Sequence, residues 1–234
     1  LPEISAKRAR LEAILRDLGR TLIAYSGGVD SSVLLAEAHR VLGGKACGVI
    51  ADSPSLPRRE LSQAIALAEG RGVPVRVVRT DELSRQAYRA NGPDRCYHCK
   101  AELFDRLARI AAEEGWTTVA YGAVTDDLGD VRPGMAAADR FHARAPLLEA
   151  GLAKLEVRAL AREIGLRAWD KPQSACLASR IPHGSDVTSQ KLRQVEAGEA
   201  LLRERFGLRI LRLRHEGARA RIEKKMRVYR TQMN

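Results

Sequence analysis

The sequence predicts an α/β protein: a parallel sheet with helices on both faces, followed by a small α+β domain at the C-terminal end. Through the first 165 residues, short runs rich in β-branched residues alternate with amphipathic helical patterns. Beyond residue 187 the order changes to one helical pattern and two alternating runs. An apolar content of 45% is enough for a buried core and excludes wholesale disorder.

The predicted strands and helices alternate in chain order. The strands lie at residues 21–25, 45–51, 75–78 and 117–121. The helices cover residues 11–18, 33–42, 59–69, 103–111 and 155–164. In the first helix, Leu11, Ile14, Leu15 and Leu18 repeat at i, i+3, i+4 and i+7, and Gly19 follows as a stop signal. Strands separated by helices in this way predict parallel pairing.

Residues 166–187 interrupt the alternation with proline and glycine, so they are predicted to join two domains. Residues 1–165 form the first predicted domain and residues 188–234 the second. In the second, residues 188–206 are predicted to form a helix and residues 208–223 two paired strands. Two strands alone are marginally stable, so this domain is expected to be cut short or to be completed by another subunit.

Positive charge concentrates in the last third of the chain. The net charge is +11, and residues 151–234 carry 19 of the 40 basic side chains but only 9 of the 29 acidic ones. Most are arginine, whose planar guanidinium binds phosphate or carboxylate through two hydrogen bonds. The second domain is therefore expected to bind an anion, either nucleic acid or a small phosphorylated acid. An arginine-rich solvated surface is the alternative.

The N-terminal ten residues are polar and basic and lack the apolar segment of a secretory signal. No apolar run approaches the roughly 20 residues that span a bilayer. Four cysteines are too few for a disulfide-built scaffold. We expect a cytoplasmic protein without membrane contact, in which closely spaced cysteines serve metal binding or chemistry.

A segment rich in glycine and serine lies directly between the first predicted strand and the next helix. It comprises Ser26, Gly27, Gly28, Val29, Asp30, Ser31 and Ser32. The glycines let backbone N–H groups approach an oxyanion, and the helix dipole points to the same place. The serines offer hydroxyl donors, and Asp30 is expected to hold Mg²⁺ on the phosphates. An ordinary glycine turn is the alternative, and the missing Gly-Lys-Ser/Thr excludes a kinase-type loop.

The segment resembles the PP-loop of the ATP pyrophosphatases, which share the adenine nucleotide alpha hydrolase-like fold. These enzymes adenylate a substrate and release pyrophosphate. The resemblance implies that ATP is the cofactor and that AMP and pyrophosphate are its products.

Three cysteines are candidates for chemistry. Cys96 and Cys99 form a C-x-x-C pair at the predicted start of a helix, and Cys176 follows in a loop. Cys47 lies in a predicted strand and is interpreted as a core thiol. The residues alone leave three possibilities: a zinc site with His98 as a fourth ligand, a disulfide, or a four-iron cluster on three thiolates with one iron open.

The loop around Cys176 favours a reactive sulfur. Ser174 and Ala175 are small and leave the sulfur unobstructed, and the charges of Lys171 and Arg180 are expected to favour the thiolate. This pattern predicts a nucleophilic or sulfur-carrying cysteine, and a buried loop thiol is the alternative.

Over nearly its whole length the sequence resembles the LarE family, the PP-loop sulfur transferases that mature the nickel-pincer cofactor of lactate racemase. The resemblance is carried by residues 26–32, 52–54, 58–60, 126–134, 145–147, 156–161 and 170–184. The last stretch is the most specific, and tRNA thiolases do not carry it.

The resemblance implies that ATP adenylates the carboxylates of pyridinium-3,5-dicarboxylate mononucleotide and that sulfur then replaces AMP. In members with only the cysteine matching Cys176, that cysteine loses its sulfur and becomes dehydroalanine. Members that also have the cysteines matching Cys96 and Cys99 hold a [4Fe-4S] cluster and pass on its sulfide. This chain has all three, so the cluster route is expected, with Cys176 a catalytic participant in either case.

Further residues are expected to contact the nucleotide and the substrate. Those to ATP or AMP are expected at Asp52, Ser53 and Gly122, in addition to the PP-loop. Arg212 and Arg214 alternate on a predicted strand, so both side chains leave the same face and suit the substrate phosphate and carboxylates. Arg180 is a candidate third contact. The family also implies a homo-oligomer built from trimers, hexamers included.

Two other functions compete with this interpretation. A tRNA 2-thiolase shares the ATP chemistry, but only 4% aromatic residues leave few platforms for stacking bases. A non-catalytic nucleic-acid-binding protein would not need an intact phosphate loop with Asp30. Both arguments favour a small anionic mononucleotide over nucleic acid as the partner.

Overall fold

The fold is built around a four-stranded parallel sheet. The computed structural model describes residues 2–129, 133–172, 175–208 and 210–224. The strands are β1 (Thr21–Ala24), β2 (Ala46–Asp52), β3 (Val75–Arg79) and β4 (Thr118–Tyr121), in the spatial order β3-β2-β1-β4. In the central β1, Thr21 pairs with Ala46 on one side and with Thr118 on the other. The predicted parallel sheet is confirmed.

Helices cover both faces of the sheet, as predicted. They are α1 (Pro2–Leu18), α2 (Val29–Leu42), α3 (Arg58–Glu69), α4 (Gln86–Arg89), α5 (Arg95–Glu114), α6 (Pro133–Arg140), α7 (Pro146–Glu149) and α8 (Lys154–Glu163). Neighbouring side chains of a strand point to opposite faces. Accordingly Ile23 packs in one apolar cluster with Leu15 and Leu160, whereas Leu22 packs in another with Phe104.

The sequence pattern does not predict α4, α6 or α7. In α6, Ala137 and Ala138 are the buried residues, and they pack in the same cluster as Phe104 of α5. Small side chains give no helical period of large apolar residues, so the pattern is silent there. α1 begins at Pro2, well before the predicted start at Leu11. Its first turns are largely exposed and carry no apolar repeat, so the sequence pattern does not reveal them.

The C-terminal part contains the predicted helix and strand pair. α9 (Ser189–Phe206) is followed by the antiparallel strands β5 (Leu211–Glu216) and β6 (Arg219–Lys224). Thr188 caps α9, since its hydroxyl accepts a hydrogen bond from the N–H of Lys191 at 3.2 Å. Gly217 turns the chain between the strands with a φ of +68°. The division into two domains stays a prediction.

The predicted junction is packed rather than extended. A 3-10 turn at Leu177–Arg180 buries Leu177 and Ala178, and these pack in a third apolar cluster with Tyr88 and with Leu192 of α9. The segment therefore fixes the C-terminal helix against the residues that precede α5. Over the residues described, no helix combines the length and the apolar character needed to cross a membrane.

Candidate active site

The predicted phosphate loop connects β1 to α2, which begins at Val29. Gly27 has a φ of +68°, and Gly28 is the N-cap of α2 with extended backbone and no side-chain cap. The hydroxyl of the buried Ser31 holds the loop: it accepts from the N–H of Ser26 at 3.2 Å and donates to the carbonyl of Gly28 at 3.2 Å. Ser32 is buried in the same first turn. Because no side chain of the described residues caps this helix start, the first N–H groups of α2 are left for an external acceptor, as an anion site requires.

Gly122, which follows β4, approaches the start of α2 closely. A Cβ built there would lie 2.8 Å from the nitrogen of Ser31 and 3.0 Å from its Cα. Only glycine fits this approach, so the predicted nucleotide contact lies directly beside the phosphate loop.

Substituting Gly122 by alanine is expected to displace the first turn of α2. Overpacking of this kind typically costs about 1–3 kcal/mol of stability, and the shifted N–H groups should bind Mg-ATP more weakly. Urea unfolding and ATP titration check both effects. Gly44→Ala is the matched control, because no atom lies within 4 Å of a Cβ built at Gly44. Wild-type stability and ATP affinity in Gly122→Ala would contradict the close approach.

Asp30 has one free carboxylate oxygen. Its Oδ2 accepts a hydrogen bond from Nζ of Lys154, whereas its Oδ1 is buried without a hydrogen-bond partner in the described part of the chain. A buried carboxylate oxygen with unused acceptor capacity suits a hard cation such as Mg²⁺. Sequence reasoning missed Lys154, because it lies 124 residues after Asp30 and no local pattern connects the two.

Asp52 is the last residue of β2 and Ser53 follows it, and both line a cleft of about 260 Å³ at the carboxyl ends of β2 and β3. Asp52 forms an ion pair with Arg58. Ser53 donates its hydroxyl proton to the buried Glu82 and accepts a hydrogen bond from the N–H of Ser55. The structure thus places both residues at the sheet edge that carries the phosphate loop, which is where open α/β sheets bind ligands.

The three candidate thiols lie on two neighbouring segments. Cys96 is exposed and Cys99 half-buried, both near the start of α5, and the half-buried Cys176 precedes the 3-10 turn. Cys99 and Cys176 pack against the same apolar cluster as Tyr88. Burial, followed by the negative charge of Glu82, raises the pKa of the Cys99 thiol to about 12, and the other two thiols act on it in the same direction.

Cys47 lies apart from them in β2. It is buried, its thiol donates to the carbonyl of Gly48 at 3.6 Å, and burial raises its pKa. This agrees with the predicted core thiol.

The thiols do not form a site for a single metal ion. Among the described residues, no three His, Cys, Asp or Glu side chains are grouped closely enough to hold one ion. A four-iron cluster makes a different demand, because each of its thiolate ligands binds a different iron. Cys96, Cys99 and Cys176 would be the thiolate ligands of such a cluster, which stays a prediction; Cys99 interacts electrostatically with both of the others.

Two buried residues before and at the start of α5 hold the loop of Cys176. Asn91 has a φ of +56° and donates from its amide to the carbonyls of Ile181, Pro182 and Ser185 at 3.3, 2.7 and 3.0 Å. Arg95 donates to Asn91 Oδ1 and, at 3.0 Å, to the carbonyl of Ala178. The segments of Cys96 and Cys176 are thereby joined. Sequence reasoning missed both residues, although the Asn-Gly pair at residues 91–92 is a turn signal.

Arg180 is buried, and its contacts are internal. It forms an ion pair with Glu199 of α9 at 2.8 Å and donates to the carbonyls of Ala175 and Cys176. It therefore positions the loop of Cys176. Its contact with substrate stays a prediction.

Arg212 and Arg214 occupy alternate positions on β5. Between them, Leu213 packs against Gly198 of α9, so the two arginines lie on the other face, as the alternation predicts. Arg214 donates to the carbonyl of Ser179 and pairs with Glu223 at 2.9 Å. Within the described residues no acidic group pairs with Arg212, which leaves its guanidinium available to an anion.

Lys171 makes two contacts that the sequence did not predict. Its Nζ forms an ion pair with Glu60 of α3 at 2.8 Å and donates to the carbonyl of Gly27 at 3.2 Å. These contacts direct the ammonium group to the phosphate loop, and its effect on the thiol of Cys176 stays a prediction.

Comparisons with known proteins give the same picture. No family model matches the chain. It is 43% identical to an uncharacterized protein of Synechocystis sp., over 94% of this chain and 82% of that protein. It is 39% identical to the pyridinium-3,5-bisthiocarboxylic acid mononucleotide synthase of Lactiplantibacillus plantarum, over 94% of this chain and 80% of that enzyme. A GMP synthase of Lactobacillus delbrueckii is 27% identical over 83% of this chain and 41% of its own length.

The parallel sheet, the loop between β1 and α2 and these relatives define the class: the protein is a PP-loop enzyme that uses ATP. Within that class, the chain belongs to the LarE family.

Proposed function

We propose that this protein is an ATP-dependent sulfur transferase acting on pyridinium-3,5-dicarboxylate mononucleotide, which it converts to the thiocarboxylates of the nickel-pincer cofactor. The substrate class comes from the synthase that is 39% identical to this chain. The structural support is one segment that reaches from the phosphate loop, through Lys171, to the thiol of Cys176. Five residues span at most about 18 Å between the Cα atoms of Lys171 and Cys176, which supports placing the two centres in one site.

The first half of the proposed reaction activates a carboxylate. One of its oxygens attacks the α-phosphorus of ATP, the bond to the β-phosphate breaks, and pyrophosphate leaves. The N–H groups at the start of α2 would bind the phosphates, and Asp30 would hold the Mg²⁺ that neutralises them. Arg212, which pairs with no acidic group among the residues described, is suited to the substrate phosphate.

The second half transfers sulfur. A sulfur nucleophile attacks the carbonyl carbon of the acyl-adenylate, and the bond to AMP breaks. Two cycles on the two carboxylates give the bis-thiocarboxylate. Arg180 and Arg95 would keep Cys176 in place while this happens, because both hold carbonyls of its loop.

We favour a [4Fe-4S] cluster as the sulfur carrier, bound by Cys96, Cys99 and Cys176. These three thiolates would hold three of the four irons, and the remaining iron would offer a place for exogenous sulfide. The competing route uses Cys176 itself as a donor that is consumed.

Metal analysis of anaerobically purified protein tests the cluster. We expect about four irons and as many acid-labile sulfides per chain, with the visible absorption of a cluster. Cys96→Ala should lose both, whereas Cys47→Ala, which removes the core thiol of β2, should keep them. An iron-free wild type, together with normal turnover by Cys96→Ala, would contradict the cluster and favour the sacrificial route.

Pyrophosphate release tests the substrate. The dicarboxylated pyridinium mononucleotide should stimulate it and bulk tRNA should not, and stimulation by tRNA alone would contradict the proposal. A cytoplasmic location and a trimer-based homo-oligomer remain predictions, and light scattering on the purified protein would test the second.

A further inference from the structure

We infer that Lys171 is a positioning residue for the phosphate loop: it fixes the peptide between Gly27 and Gly28 so that the N–H of Gly28 faces the phosphates. This deepens the proposed function, because it rests on the assignment of the loop to phosphate.

The peptide between Gly27 and Gly28 is easily turned over. The two torsions that rotate it belong to glycines, which lack the Cβ that restricts other residues. Gly27 already has a φ of +68°, and a Cβ there would lie 2.7 Å from that of Ala64, so another residue type cannot replace it to stiffen the loop. Something outside the loop has to select one orientation.

Lys171 provides that selection. Its ammonium donates to the carbonyl of Gly27 at 3.2 Å and is itself held by Glu60 at 2.8 Å. The Lys171 and Glu60 side chains are only 16% and 20% exposed, so the contact is protected from water. Arg158 of α8 fixes the backbone beneath it by donating to the carbonyls of Trp169 and Lys171.

The consequence follows from peptide geometry. In a planar trans peptide the C=O and the N–H point in opposite directions. With the carbonyl of Gly27 directed to Lys171, the N–H of Gly28 points away from Lys171, to the side of the Ser26 hydroxyl. This N–H donates to the hydroxyl of Ser26 at a long 3.4 Å, a weak bond that a phosphate oxygen can replace.

Calorimetric titration of the full-length protein with magnesium pyrophosphate tests this inference. Lys171→Met should bind pyrophosphate about tenfold more weakly, the loss expected for one well-placed hydrogen bond. Lys171→Arg should regain most of the affinity, because a guanidinium can also donate to the carbonyl. Adenosine binding should not change in either variant. Lys45→Met is the matched control, since Lys45 is exposed at the opposite end of β2.

Ionic strength separates positioning from direct charge contact. If Lys171 acts by orienting the uncharged N–H of Gly28, the tenfold loss should persist from about 0.05 to about 0.5 M salt. A direct ion pair between Lys171 and phosphate would instead be screened by the salt. A loss that disappears at high salt, or Lys171→Met binding pyrophosphate like the wild type, would overturn the inference alone. A wild type that binds neither pyrophosphate nor ATP would contradict the phosphate assignment of the loop as well.

Discussion

Replacing Cys176 with alanine is expected to abolish thiocarboxylate formation while ATP-dependent pyrophosphate release continues. The phosphate loop and Asp30 lie on the sheet edge and do not depend on the thiol, so adenylation should survive. The substitution removes the sulfur or its anchor, and losing the reacting group of an enzyme typically costs at least about 10³-fold in turnover. Mass spectrometry of the product and a pyrophosphate assay measure the two halves separately.

Cys47→Ala is the control for this experiment, because it removes a thiol that is buried in β2. It should retain both activities. Thiocarboxylate formed by Cys176→Ala at the wild-type rate would refute the role of Cys176. Simultaneous loss of pyrophosphate release would show that the two centres are not separable as proposed.

Glu199→Gln is expected to destabilise the protein by about 3–5 kcal/mol, the usual consequence of leaving one partner of a buried ion pair uncompensated. Glu199 is 2% exposed and accepts hydrogen bonds from Arg180, Arg203 and the N–H of Leu213. The glutamine keeps the shape but leaves the buried Arg180 with an unbalanced charge. Urea unfolding at neutral pH measures the change.

The stability difference between wild type and Glu199→Gln is expected to depend on pH, and the pKa of Glu199 sets its direction. Burial by itself would raise the pKa of Glu199, but the hydrogen bonds from Arg180 and Arg203 hold that pKa below its usual range. A carboxylate with a lowered folded-state pKa stabilises the fold above its unfolded pKa, near 4.3, and the contribution is lost as the pH falls further. The difference between wild type and Glu199→Gln should therefore be full at pH 7 and shrink below about pH 4.

Glu204→Gln is the matched control, since Glu204 is exposed on the same helix. It should change stability by less than about 0.5 kcal/mol. A Glu199→Gln variant as stable as this control would contradict the structural role of the buried pair.

The sheet and the phosphate loop could be predicted because their signals are local. The strands are short apolar runs bounded by helical periods, and the residues from Ser26 to Ser32 carry their chemistry within a single turn. The C-x-x-C pair near the start of α5 was accessible for the same reason. Arg212 and Arg214 could be placed on one face from alternation alone.

The contacts that hold the site together could not be predicted, because they join distant parts of the chain. Charge suggested Arg180 as a substrate ligand, and a sequence does not show its buried ion pair with Glu199. Lys171 was assigned to the thiol next to it in sequence, yet its ammonium reaches a loop 144 residues earlier. The contact between Lys154 and Asp30 likewise joins residues that are 124 positions apart.

The contacts of Glu199 hold the loop of Cys176 and none of them reaches the phosphate loop. Its carboxylate gathers Arg180 beside Cys176, Arg203 on α9 and the backbone of β5 at one point. A fragment that ended before α9 would lose Glu199 and its hydrogen bonds, and we expect the loop of Cys176 to lose its conformation as a result. The phosphate loop is held by Ser31, Gly122 and Lys171 and makes none of these contacts. We therefore expect such a fragment to keep the proposed nucleotide site and to lose the proposed sulfur site.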